Sequence, residues 1–103
     1  EAIRAYNDFL DRYSGHPLLP IVKQSLGYAY EEKGLLQEAV KQFDEISADG
    51  NSFLVAQGNW DAGRCYEKLG QASDAIRSYT KVTELSPNSN WATMSQYRLS
   101  VIR

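Results

Sequence analysis

The side chains able to do chemistry are few and scattered. His16 is the sole histidine. It precedes Pro17 in what reads as a turn, where an imidazole is solvated or caps a helix. Cys65 is the sole cysteine, so no internal disulfide can form. Beside Tyr66 in a helical pattern, it reads as a small buried hydrophobe rather than a reactive thiol. Acidic residues occur as neighbours, Glu31 with Glu32 and Asp44 with Glu45. Adjacent positions on a helix diverge, so neither pair converges on one atom as a general acid and base would. Both pairs read as solvated faces. No His, Cys, Asp and Glu set has metal-ligand spacing. Neither a phosphate-cradling glycine loop nor a nucleophile motif occurs. These residues imply a protein that is not an enzyme, with no cofactor and no metal.

Bulk properties narrow the partner class. The net charge of −2 supplies no basic stripe for nucleic acid. No amphipathic stretch carries the run of Lys and Arg that a membrane-surface helix uses. The longest apolar run is far short of a bilayer span, so direct membrane insertion is not expected. With 103 residues, the chain can bury one modest core. A composition of 43% hydrophobic and 23% charged residues is ordinary for a globular domain. Three prolines and seven glycines argue against a disordered tail.

The elements that would position any site emerge from an internal repeat. Shifting the chain by 36 residues places Gly27 on Gly63, Tyr30 on Tyr66, Glu31 on Glu67, Gly34 on Gly70 and Ala39 on Ala75. Val40, Lys41, Phe43 and Ile46 fall on Ile76, Arg77, Tyr79 and Val82. The opening Glu1-Ala2-Ile3-Arg4-Ala5-Tyr6 reads like Asp74-Ala75-Ile76-Arg77-Ser78-Tyr79. The chain therefore starts in the second half of one repeat and closes, from Trp91, in the first half of another. The expected units are a half repeat 1–16, repeats 17–52 and 53–89, and a half repeat 90–103, a slice of a longer array.

Each half is helical by pattern. Ala39, Val40, Phe43 and Ile46 recur at spacings of three and four, as do Ala75, Ile76, Tyr79 and Val82. No stretch alternates with period two. The spacing predicts six helices over about 1–13, 18–33, 37–48, 53–69, 73–85 and 91–103. Gly34 and Gly70 stand where a left-handed C-terminal cap is needed, and two or three residues then force antiparallel hairpins. Ser73 is placed to cap a helix beginning at Asp74. His16-Pro17, Asp49-Gly50-Asn51 and Ser86-Pro87-Asn88 mark turns between repeats, and the residues beyond a 34-residue period fall between Asp49 and Phe53.

These residues resemble the tetratricopeptide repeat, whose pattern sets Trp, Leu-Gly, Tyr, Ala, Phe and Pro at fixed offsets. Leu26-Gly27, Tyr30, Ala39 and Phe43 fit in one copy, and Ala62-Gly63, Tyr66, Ala75, Tyr79 and Pro87 in the next. Lys23 and Asn59 occupy the Trp position, and Trp60 lies one residue late. The resemblance implies an all-α fold, a right-handed superhelical solenoid of stacked hairpins. It also implies a scaffold that presents a concave groove to a peptide or partner protein. Phe9-Leu10-Asp11-Arg12-Tyr13 followed by Gly15-His16-Pro17 resembles the wording of bacterial cell-envelope repeat proteins. Outer-membrane assembly lipoproteins, the Tol-associated coordinator of cell division and the ancillary Sec translocon subunit are of that kind. That resemblance implies the bacterial periplasm or envelope rather than the cytoplasm.

In such arrays the first helix of each hairpin lines the groove. The expected groove residues are Gln24, Tyr28 and Glu31, then Gln57, Trp60, Asp61 and Arg64 with Lys68, then Met94, Tyr97 and Arg98 with Val101. Trp60 and Arg64 share a helix face, and Tyr97 takes the place of Trp60 one hairpin on. Trp, Tyr and Arg are the side chains that most often dominate binding energy. Packing of Trp60 beside Ala56, Gly58 and Ala62 is the competing reading. Gln24, Tyr28 and Trp60 stand where the chaperone-binding subclass has polar clamp residues, so a carboxylate clamp is not expected. Beside the groove reading stand a structural spacer that self-associates through its exposed repeat ends, and a regulatory domain of a larger enzyme.

Overall fold

The computed structural model describes residues 2–48 and 54–102. Within them the chain forms six helices and no strand: α1 (Ala2–Arg12), α2 (Leu19–Glu32), α3 (Leu36–Ala48), α4 (Val55–Lys68), α5 (Ala72–Leu85) and α6 (Asn90–Ile102). None of these is long and apolar enough to cross a membrane. Each helix packs on the next, and α4 also touches α6. The result is an all-α, tetratricopeptide-like stack of antiparallel hairpins, 41 × 28 × 18 Å in extent. The turn expected at Asp49-Gly50-Asn51, the extra residues expected up to Phe53, and the terminal Glu1 and Arg103 lie outside the described residues.

The hairpin turns follow from glycine. Gly34 and Gly70 have φ of 79° and 75°, a region that costs a residue with a Cβ far more. The Gly34 and Leu35 amides donate to the carbonyls of Glu31 and Tyr30, both at 2.9 Å. The Gly70 and Gln71 amides repeat this on Glu67 and Tyr66 at 3.0 and 2.9 Å. This pair of bonds is the Schellman closure, which satisfies the carbonyls a helix end leaves open. It also corrects the expected cap at Ser73. The closure spends only three residues, so α5 begins at Ala72 with Gln71 in the cap position and no side-chain cap bond. Before α2, the Leu18 amide donates to His16 Nδ1 at 3.1 Å, so the lone histidine serves the turn. Its ring also meets those of Phe9 and Tyr13, with centroids 5.4 and 6.0 Å away.

Two buried clusters hold the hairpins together. In the first, Ala39, Val40, Phe43 and Ile46 of α3 meet Leu54, Ala62 and Cys65. In the second, Ala75 and Tyr79 of α5 meet Leu99 of α6, with Trp60, Tyr66, Ile76 and Ile102 packed around them. Cys65 is fully buried, as expected of a lone cysteine beside Tyr66 in a helical pattern. By contrast, α1 contains no buried residue.

Candidate functional site

The first helices of the hairpins, α2, α4 and α6, are joined to one another by side chains. Tyr28 of α2 donates its hydroxyl to Asp61 Oδ2 of α4 at 2.7 Å. Gln57 Nε2 donates to that same hydroxyl oxygen at 3.1 Å. Arg64 donates from Nη2 to Asp61 Oδ1 at 3.0 Å and from Nη1 to Glu31 Oε2 of α2. Lys68 Nζ completes the group on Glu31 Oε2 at 2.6 Å. One hairpin on, Arg98 Nε of α6 donates to Glu67 Oε1 of α4 at 2.9 Å, and Tyr79 donates its hydroxyl to the same oxygen at 2.6 Å.

These contacts set the electrostatics. Burial by itself would raise the Glu31 carboxyl, but the hydrogen bonds from Arg64 and Lys68 outweigh it and hold the group below the ordinary carboxylate value. Arg98 does the same to Glu67 at less cost in burial. Asp61 goes the other way. It is only 3% exposed, and its burial raises the carboxyl despite the bonds from Tyr28 and Arg64. Burial and the neighbouring Asp61 together push the Tyr28 hydroxyl up. On this face each acid is already bound to a cation or a phenol, and no group of three metal-ligating side chains occurs among the described residues. The arrangement is a charged, hydrogen-bonded frame that ties α2 to α4.

The ten expected groove residues separate into three groups. Tyr28, Glu31, Gln57, Asp61 and Arg64 form one connected network, and Arg98 belongs to the next rung. Met94 and Tyr97 are exposed on α6 with Val101 beside them, Tyr97 being 65% open to solvent. Trp60 is half-buried, its ring 5.3 Å from that of Tyr79, so it serves the core as much as any surface. Gln24 is half-buried on α2 and takes no part in the network. Three expectations change. Asp61 is buried rather than groove-facing, because its carboxylate is drawn onto Tyr28 and Arg64. Glu31 does not lie on a solvated face as Glu32 does: its side chain is 11% exposed beneath two cations. Asp44 likewise accepts the Tyr66 hydroxyl rather than facing water. Glu67 was not among the expected residues, though its match to Glu31 in the 36-residue shift was a signal for it.

A search of curated proteins finds no match for the chain. The family profile described as the tetratricopeptide repeat matches residues 56–89, which run through α4 and α5 to the turn before α6. In that span Ala62-Gly63, Tyr66, Ala75, Tyr79 and Pro87 take the pattern's positions, and the contacts above show what they do: Gly63 receives the Tyr79 ring while Tyr66 and Ala75 line the same cluster. The chain thus contains a tetratricopeptide repeat built from α4 and α5, within an all-α stack of similar hairpins.

Proposed function

We propose that this chain is a non-catalytic protein-binding module whose α2, α4 and α6 face receives a peptide or a partner protein. Tetratricopeptide repeats generally mediate contacts between proteins, which supports the class. The observation that carries the reading is the cross-helix frame itself. Tyr28, Glu31, Asp61, Arg64 and Lys68 are fixed to one another before any partner arrives. A surface held in shape in advance loses little conformational entropy on binding. The Tyr28 ring within this frame is exposed, and on α6 Met94, Tyr97 and Val101 are exposed as well. Arg64 and Lys68, the cations a terminal carboxylate would seek, are already occupied by Glu31 and Asp61. The partner is therefore an extended or helical segment held by aromatic and aliphatic contacts. Only the wording Phe9-Leu10-Asp11-Arg12-Tyr13 followed by Gly15-His16-Pro17 supports placing the chain among bacterial cell-envelope repeat proteins.

The reading is tested by selecting binders from a displayed peptide library and measuring them against Tyr97→Ala and Met94→Ala. Both positions are exposed, so the helical circular dichroism should not change. Binders should be rich in apolar side chains and should lose at least about tenfold in affinity, the mark of a dominant contact. Binders that keep full affinity for both variants would show that another surface is used.

A further inference from the structure

Lys23 Nζ of α2 lies 3.2 Å from Glu45 Oε1 of α3, so the hairpin of α2 and α3 pairs a cation with an acid. The 36-residue shift carries Lys23 to Asn59 and Glu45 to Lys81. The hairpin of α4 and α5 therefore has a neutral amide and a cation at the same two places. Lys81 has no acidic partner among the described residues. Compared with its counterpart, this hairpin is short of one carboxylate.

The same shift sets Ser78 in the place of Gln42. Shorter side chains at 59 and 78 open a cleft of about 150 Å³ between α3, α4 and α5. Asp44, Ser47, Asn59, Arg77, Ser78 and Lys81 border it. Its deepest members are Asn59 and Ser78, 2% and 5% exposed. Asn59 Nδ2 donates one hydrogen to the Val55 carbonyl at 3.1 Å. Its second hydrogen and the Ser78 hydroxyl meet no acceptor among the described residues. Buried donors in that position favour a ligand that supplies the acceptor. At the rim, Arg77 spends Nη2 on Asp74 at 2.6 Å and keeps its other donors. Asp44 accepts the Tyr66 hydroxyl and makes no ion pair with Lys81.

We propose that this cleft takes the carboxylate of an acidic side chain from a partner protein. Lys81 is its counter-ion, and Ser78 and Asn59 are its hydrogen-bond donors. The incoming acid restores across the interface the charge pair that Lys23 and Glu45 make within the chain. A carboxylate fits better than a doubly charged phosphate, because the Asp44 carboxylate borders the same cleft and repels the larger charge more. The site shares no residue with the network on α2, α4 and α6, so it stands whatever that face binds.

Titration with N-acetylglutamate N-methylamide, whose only charge is its side-chain carboxylate, tests this by ¹H–¹⁵N spectroscopy. The Asn59 side-chain amide and the Ser78 backbone amide should shift saturably, with half-saturation at about 1–10 mM. The glutamine counterpart should shift neither, and inorganic phosphate at equal ionic strength should bind more weakly. Lys81→Gln is an exposed change, so the helical circular dichroism should persist while binding weakens at least about fivefold. Tyr97→Ala, on α6, should leave the titration unchanged. The proposal is overturned by the absence of saturable shifts, by an equal response to the glutamine compound or by tighter binding of phosphate. Full binding in Lys81→Gln, or a loss in Tyr97→Ala, overturns it as well.

Discussion

Tyr79 of α5 packs so closely on Gly63 of α4 that an ideal Cβ there would stand 2.6 Å from its ring, and Phe43 repeats the contact on Gly27 at 2.5 Å. The Tyr79 ring cannot readily withdraw, because it is fully buried and its hydroxyl is held on Glu67. Gly63→Ala would gain up to about 1 kcal/mol in helix propensity. Overpacking a tight site costs about 1–3 kcal/mol, so the clash should win. The expected result is a lower urea midpoint, recovered in the Gly63→Ala, Tyr79→Leu double variant. A single variant more stable than wild type would mean that the ring gives way.

Trp60 and Tyr97 should behave differently despite their equivalent places. Burial of Trp60 against Tyr79 implies that Trp60→Ala costs about 2 kcal/mol, below the cost for a fully enclosed aromatic. Tyr97→Ala should stay within about 0.5 kcal/mol, as exposed substitutions do. Denaturant melts of the two variants decide this, and equal losses would refute the distinction.

Arg64 is worth more than an exposed arginine. Replacing it by Met leaves Asp61 and Glu31 partly unpaired in a buried setting, at a cost of about 1–3 kcal/mol. Arg77 also pairs with an acid, Asp74, but that pair is open to solvent and should contribute under about 0.5 kcal/mol. Comparing Arg64→Met with Arg77→Met by thermal unfolding checks the contrast.

Acid should weaken the stack. The folded-state pKa values of Glu31 and Glu67 lie below the ordinary 4.5. The stability they supply is complete above that value and disappears as pH falls through their folded values. Asp61 is raised, so its share has the opposite sign and grows as pH falls through its folded value. Stability measured downward from pH 6 should therefore drop below about 4.5. Glu67→Gln should flatten that drop. An unchanged profile in the variant would remove Glu67 from the account.

Cys65 should be inert in the folded chain. It is fully buried, and its burial pushes the thiol up to about 12, so almost no thiolate exists near neutral pH. A disulfide reagent at pH 8 should label it only at the rate of unfolding, and fast native labelling would contradict this.

Local chemistry was legible in the sequence, and long-range pairing was not. The spacing of Ala39, Val40, Phe43 and Ile46 gives a helix with one buried face, because helical periodicity is a property of neighbouring residues. Gly34 and Gly70 announce the hairpin turns, since only glycine takes that backbone geometry cheaply. Gly27 and Gly63 announce close crossings for a similar reason. Even locally, the sequence misplaced one feature: Ser73 has cap chemistry, but the Schellman closure at Gly70 starts α5 before it can act. The fate of the charges was decided only by stacking. Glu31 and Glu32 are indistinguishable as a sequence pair, yet one lies beneath Arg64 and Lys68 and the other faces solvent. Asp61 and Arg64 share one helix, but Tyr28 and Glu31 reach them from a helix some 33 residues earlier. A side chain's partners across that distance depend on how two hairpins pack, and packing is set by the summed fit of the buried faces rather than by any local pattern.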